Sequence, residues 1–309
     1  MEQFQNHSEI KKDEVILIVV SNGLPDFIRN AIASIRRCEG ATTICIALPK
    51  DALAEVKVAV SGFRNVEFAV LEELWDFDYS AMTKYFHYGS KEFSRFTASK
   101  WKAIRYLLER GFSRVIYTDV DIAWIRSPSP ILRQALSHFE IAIQTEGVES
   151  FPPQYCCGFM AFRNSEFVTG LLKHLEKLHA LREEPADDQV VFNELVATSS
   201  DLLHRIHGLS ELLFANGLSA GKSSVNSDIL VTEVSPMIFH ANWTIGLENK
   251  RLLLQRTGLW LVAEPSKSPS DKKALFAFAI VRFLGLKGRP IAQKLLKGTR
   301  FSYLAARPE

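Results

Sequence analysis

Residues 114–128 read RVIYTDVDIAWIRSP and bring two carboxylates, Asp119 and Asp121, to the carboxyl end of an apolar run. Residues two apart in extended backbone point to the same side, so an Asp-x-Asp there is expected to present both carboxylates together. Such a pair makes a hard-oxygen site for a divalent cation that can also hold a diphosphate. The tripeptide alone is a weak signal, because twelve aspartates in 309 residues give on the order of one chance occurrence. LWDFDYS carries a second copy, Asp76 and Asp78, but no clean strand leads into it and it reads as loop. The bland reading of Asp119 and Asp121 is a strand-end pair that caps the next turn. The four cysteines, Cys38, Cys45, Cys156 and Cys157, include an adjacent pair that suits neither a metal knuckle nor an ordinary disulfide framework, and they favour a reducing compartment.

The elements that must position these residues follow from hydrophobic spacing. Short β-branched runs alternate with stretches of helical period, the pattern of a mostly parallel sheet covered by helices, so the fold class is α/β. Strands are predicted over 15–20, 43–48, 66–71, 115–118, 139–143 and 158–162, and helices over 26–37, 97–110, 166–181 and 189–197. Ser21 and Asn22 then sit at the carboxyl end of the first strand, the edge where open α/β sheets bind ligands, and are candidate contacts to a diphosphate. The apolar run 15–20 is only six residues long, which reads as a strand rather than a signal peptide or a membrane anchor. A composition 47% hydrophobic and 23% charged, without repeats or low-complexity tracts, excludes disorder, collagen and coiled coil.

Downstream come YCCGFMAFRNS, ADDQVVFN and FHANWTIGLENK. With the Asp119–Asp121 strand, this series resembles the nucleotide-diphospho-sugar transferase family, glycosyltransferases of the GT-A fold that include those of glycosyltransferase family 77. The resemblance covers roughly residues 93–260, and Trp124 and Pro128 match the aromatic residue and proline that follow the acidic pair. It implies a Rossmann-like central sheet and a Mn²⁺ or Mg²⁺ ion held by Asp119, Asp121 and His240. It further implies Lys100, Gly246 and Lys250 at the nucleotide or diphosphate, and Asp188 and Gln189 at the donor sugar and its reacting carbon. A nitrogen ligand favours Mn²⁺ somewhat. Where relatives carry an asparagine two positions before the glycine, this chain has Cys156, which puts the sugar or acceptor choice in doubt. Plainer readings of the same residues are Lys100 on a solvated helix face, Asp187 and Asp188 as helix caps, and Asn242 capping a helix with Trp243 in the core.

The net charge of +2 divides unevenly: from residue 267 onward the chain carries +8, which leaves −6 on the body. An acidic body argues against nucleic acid as a partner. A Ser/Pro-rich linker from residue 264 separates a catalytic domain, 1–263, from a basic helical tail, 264–309. The tail's apolar run 274–286 is too short to span a bilayer, so residues 267–309 either contact an anionic membrane peripherally or pack on the domain. The expected protein is a cytoplasmic, metal-dependent glycosyltransferase. It would use a nucleoside-diphosphate sugar, UDP-linked, and a glycan, glycolipid or protein hydroxyl as acceptor, with retention implied by the resemblance. One rival is a phosphohydrolase of the haloacid dehalogenase type, which also places Asp-x-Asp after an apolar strand. Against it stand Ile122 and Ala123 after the pair and the lack of a strand leading into Asp187. The other rival is a transferase-like fold kept as a non-catalytic scaffold.

Overall fold

The computed structural model describes residues 12–21, 24–74, 90–146, 151–182, 184–217 and 236–262. Asn22, the second Asp-x-Asp at Asp76 and Asp78, and the basic tail lie outside them. The strands are β1 (Lys12–Val19), β2 (Thr43–Leu48), β3 (Val66–Val70), β4 (Phe112–Thr118), β5 (Ile122–Trp124), β6 (Ile141–Thr145), β7 (Tyr155–Arg163), β8 (Ile206–Leu209), β9 (Phe214–Asn216) and β10 (Ile238–His240). Seven of them form one sheet in the order β3-β2-β1-β4-β7-β6-β8, and the other three a small sheet in the order β5-β10-β9. In the large sheet β7 runs antiparallel to both its neighbours and every other pairing is parallel.

Helices α1 (Pro25–Cys38), α2 (Leu53–Val60) and α5 (Ser129–His138) cover one face. Helices α4 (Lys91–Glu109), α6 (Glu166–Leu181) and α7 (Asp188–Thr198) cover the other, and the described residues also form α3 (Leu71–Leu74), α8 (Ser200–His204) and α9 (Leu247–Arg256). The unbroken apolar run of β1 follows from this sandwich. Val15, Leu17 and Val19 pack with Trp101, Ile104 and Leu172 on one side, while Ile16, Ile18 and Val20 meet Ile28, Ile32 and Leu136 on the other. A strand buried on both faces has no position for a polar residue.

Helix α1 opens with Pro25 in its first turn and buries Phe27, Ile28, Ala31, Ile32 and Ile35, one stripe at helical spacing. Helix α4 begins six residues before the predicted start, because the Ser90 hydroxyl caps it by accepting from the Phe93 amide at 3.1 Å. Strand β6 begins two residues later than predicted. Phe139 still closes α5, donating to the Ala135 carbonyl at 2.9 Å, and Glu140 spends its carboxylate on Arg163 and Ser165.

One tie closes the structure between its far ends. Asn30 on α1 is 1% exposed; its Nδ2 donates to the Leu259 carbonyl at 3.1 Å and its Oδ1 accepts from the Leu261 amide at 2.6 Å. Trp260, between those two, packs edge-on against Phe27 at 5.1 Å. This clasp fixes α9 beside α1. Replacing Asn30 with alanine strands a carbonyl and an amide, and we expect a loss of about 1–3 kcal/mol in urea unfolding. An unchanged midpoint would show that the clasp carries none of the stability.

Candidate functional site

Strand β4 ends at Thr118, and Asp119 to Asp121 form a turn rather than the extended segment expected. The Ile122 amide donates back to the Asp119 carbonyl at 3.2 Å, the Asp119 amide to Gly158 on β7 at 2.8 Å, and the Ala241 amide to the Asp121 carbonyl at 3.1 Å. The carboxylates nevertheless converge. His240, at the end of β10, sets Nε2 3.8 Å from Asp119 and 3.4 Å from Asp121. One ligand atom from each of Asp119, Asp121 and His240 lies within 4.8 Å of the others. Two carboxylates and an imidazole nitrogen are a donor set that fits a divalent cation.

Lys250, on α9, reaches Asp121 at 2.5 Å. Helix α9 starts at Leu247 with Gly246 at its cap, where a φ of +90° favours glycine and leaves the backbone open. Asn242 therefore does not cap α9. Its Oδ1 accepts from the Gly217 amide at 2.8 Å and its Nδ2 lies 3.6 Å from the Cys156 sulfur. Trp243 is not in the core either; it has a φ of +56° and is 60% exposed. Ser21 lies buried at the end of β1.

Lys100 is 4% exposed, which excludes the solvated-face reading. Its ammonium lies 2.7 Å from Asp188 and 3.9 Å from Asp119, donates to the Cys157 carbonyl at 3.0 Å and sits over the Tyr117 ring at 4.5 Å. Burial opposes its charge, but Asp188, Tyr117 and Asp119 hold it well above the ordinary lysine range. Asp187 alone is the cap of α7, accepting from the Val190 amide at 2.8 Å. Gln189 accepts from the Cys157 amide at 3.3 Å.

Burial works against charge on Asp121 too, yet Lys250 and His240 hold its carboxyl well below the usual carboxylate range. The same contest pushes the His240 imidazole up to about 10, burial being outweighed by Asp121. His240 and Lys250 thus face the two carboxylates from the opposite side of the charge contest.

Four participants escaped the sequence reading. Tyr117 donates its hydroxyl to Asp119 at 2.5 Å. Gln144, fully buried on β6, accepts from His240 Nδ1 at 3.0 Å. Glu146, just beyond β6, has its carboxyl pushed up by burial against the pull of Gln189, His240 and Cys156. Gly158 lies under the cluster, where an added Cβ would collide with the His240 ring and come within 2.8 Å of Asp119. A glutamine inside IAIQT and a glycine inside CCGFMAF were the available signals, since neither belongs in a buried strand without a reason.

The model of the nucleotide-diphospho-sugar transferase family matches residues 63–254, starting earlier than the stretch 93–260 marked by the motifs. The chain belongs to that family. It is 27% identical over 202 residues to the UDP-D-xylose:L-fucose alpha-1,3-D-xylosyltransferase MGP4 of Arabidopsis thaliana, covering 60% of this chain and 55% of the relative. It is 26% identical over 199 residues to the beta-arabinofuranosyltransferase RAY1 of the same plant, covering 56% of this chain and 35% of that one. The chain thus spans about half or less of these curated relatives. Among solved structures, the galactosyltransferase LgtC bound to donor and acceptor sugar analogs superposes with a TM-score of 0.54 at 12% identity, over 82% of this chain and 98% of that one. Mouse xyloside xylosyltransferase 1 superposes with a TM-score of 0.50 at 16% identity, over 75% of this chain and 98% of that one. The fold is that of the GT-A glycosyltransferases.

Substituting Gly158 with alanine should push the His240 ring away from the carboxylates. We expect Mn²⁺ affinity, measured by calorimetry, to fall at least about tenfold while the far-ultraviolet circular dichroism is kept. Undiminished affinity would mean that the ring can move without cost.

Proposed function

We propose that this member of the nucleotide-diphospho-sugar transferase family is a metal-dependent glycosyltransferase that moves a sugar from a UDP-sugar to a glycan hydroxyl, with retention of configuration. The observation that carries the reading is the convergence of Asp119, Asp121 and His240 on one point, with Lys250 2.5 Å from Asp121. A Mn²⁺ or Mg²⁺ ion held by these three residues would supply positive charge to the donor diphosphate. Mn²⁺ suits the nitrogen ligand better.

The remaining roles fall to the chain's own groups. Lys250, at the open start of α9, neutralises the departing diphosphate once it turns from Asp121. The Gly246 backbone and the α9 amide end lie beside it. Ser21, just beyond the end of β1, is assigned to the diphosphate, and so is Asn22, which lies outside the described residues. We assign Asp188 to orientation at the floor of the sugar site rather than to attack, because its side chain is 7% exposed and paired with Lys100. Lys100 lends positive charge from below, and Gln189 and Glu146 line the same side. The names of the relatives make UDP-xylose the first donor to test. Among the described residues no helix is long and apolar enough to cross a membrane. The basic stretch 267–309 is retained in the proposal as a peripheral membrane contact at the cytoplasmic face.

Calorimetric titration of UDP, UDP-xylose and other nucleotide sugars, with Mn²⁺ and with chelator, tests the reading. Binding of one nucleotide that requires the metal and is lost in Asp121→Asn is expected; a panel without metal-dependent binding would exclude the donor site. A second expectation concerns pH. The metal-free imidazole of His240 stands at about 10, so an entering cation must displace its proton. Mn²⁺ affinity should therefore rise about tenfold per pH unit between about 6 and about 9, and an affinity flat over that range would remove His240 from the ligand set.

A further inference from the structure

Gln144 joins the two sheets beside the candidate cation site. It sits on β6 with no exposed surface, at the point where β6 changes its register against β7. Its Nε2 faces two backbone carbonyls of β9, Phe214 at 2.9 Å and Ala215 at 3.3 Å. Carbonyl oxygens only accept, so the NH₂ end of the amide must face them, and the assignment of oxygen and nitrogen in Gln144 is forced. The Oε1 then faces Nδ1 of His240 at 3.0 Å. An amide oxygen carries no hydrogen, so the bond exists only if Nδ1 holds the proton. The ring nitrogen left over, Nε2, is the one aimed at Asp119 and Asp121.

From this chain of donors and acceptors we infer that Gln144 is a positioning residue: it fixes the tautomer and ring orientation of His240 so that the Nε2 lone pair is presented to the cation. The inference rests on the reading of Asp119, Asp121 and His240 as a cation site. The sequence of constraints starts in the backbone of β9, passes through a side chain that cannot turn over, and ends at the ligating atom. A neutral amide does this without adding a third negative charge beside the two carboxylates. The neighbouring Cys156 sulfur, 3.6 Å from Nδ1, is too weak an acceptor to hold the ring by itself.

The two ends of the amide have separable duties, and that separation supplies the test. Gln144→Leu removes both ends. Gln144→Glu keeps an acceptor for Nδ1 at the same reach but loses the donors to Phe214 and Ala215. Both variants should melt below the wild type. Mn²⁺ titration without nucleotide, followed by electron paramagnetic resonance, should show the leucine variant weakened about 10–100-fold and the glutamate variant within about threefold of wild type. In wild-type protein with ¹⁵N-labelled histidine and Mg²⁺, the His240 ring should carry its proton on Nδ1.

A folded leucine variant that binds Mn²⁺ as the wild type does would overturn the inference. So would a glutamate variant as weak as the leucine one, since affinity would then follow fold stability alone. If the leucine variant does not fold, the labelled wild type decides, and a proton on Nε2 of the neutral ring overturns it. Wild-type protein that binds no Mn²⁺ removes the cation site itself and the inference with it, an outcome distinct from failure of the variants alone.

Discussion

The site depends on a slip in the pairing of β6 with β7. Ile143 faces Met160, but Gln144 faces Cys156, so Cys157, Gly158 and Phe159 have no partner on β6. Buried backbone groups must find partners somewhere. The Cys157 carbonyl takes the Lys100 ammonium and the Cys157 amide takes Gln189, while Gly158 keeps β4 in register through the Asp119 amide. Lys100, Gln189 and Asp119 are thereby tied to the main chain of Cys157 and Gly158. A regular ladder would have consumed the Cys157 groups and cost Lys100 and Gln189 these bonds.

Electrostatics reinforces that geometry. The two cations that face Asp121, His240 and Lys250, arrive from β10 and α9, and the deeper pair of Lys100 with Asp188 joins α4 to α7. Removing one partner of such a buried pair leaves an uncompensated charge, which costs far more than the pair contributes. The partners of each ion pair are therefore held by different elements, and the elements cannot shift independently. A carboxylate pair on a rigid sheet edge is pre-organised before any ligand arrives.

Much of this was legible in the sequence. The apolar runs of β1, β2 and β4 declared strands because burial on both faces leaves no room for ambiguity, and Glu166 to Leu181 declared a helix by its spacing. Asp119, Asp121, His240 and Lys250, named from motif order, do meet. Short strands were not legible: β5, β9 and β10 have three residues each, too few for periodicity to show. Nor was the placement of Trp243, since nothing local announces a left-handed aromatic residue at the surface. Gln144 and Gly158 both act on His240, more than 80 residues away; each stands out in its buried strand, but no local pattern names that partner.

The clasp between Asn30 and Leu259 has a bearing on how the chain is made. It spans 229 residues of sequence, and His240 and Lys250 lie near its far end. During vectorial synthesis β1, β2 and β4 leave the ribosome early and can pair with one another. Asp119 and Asp121 are then already at the sheet edge, without the two cations that will later face them. The nascent sheet must carry that mutual repulsion until β10 and α9 emerge, so the site is completed last, by the segment that also fastens the domain shut.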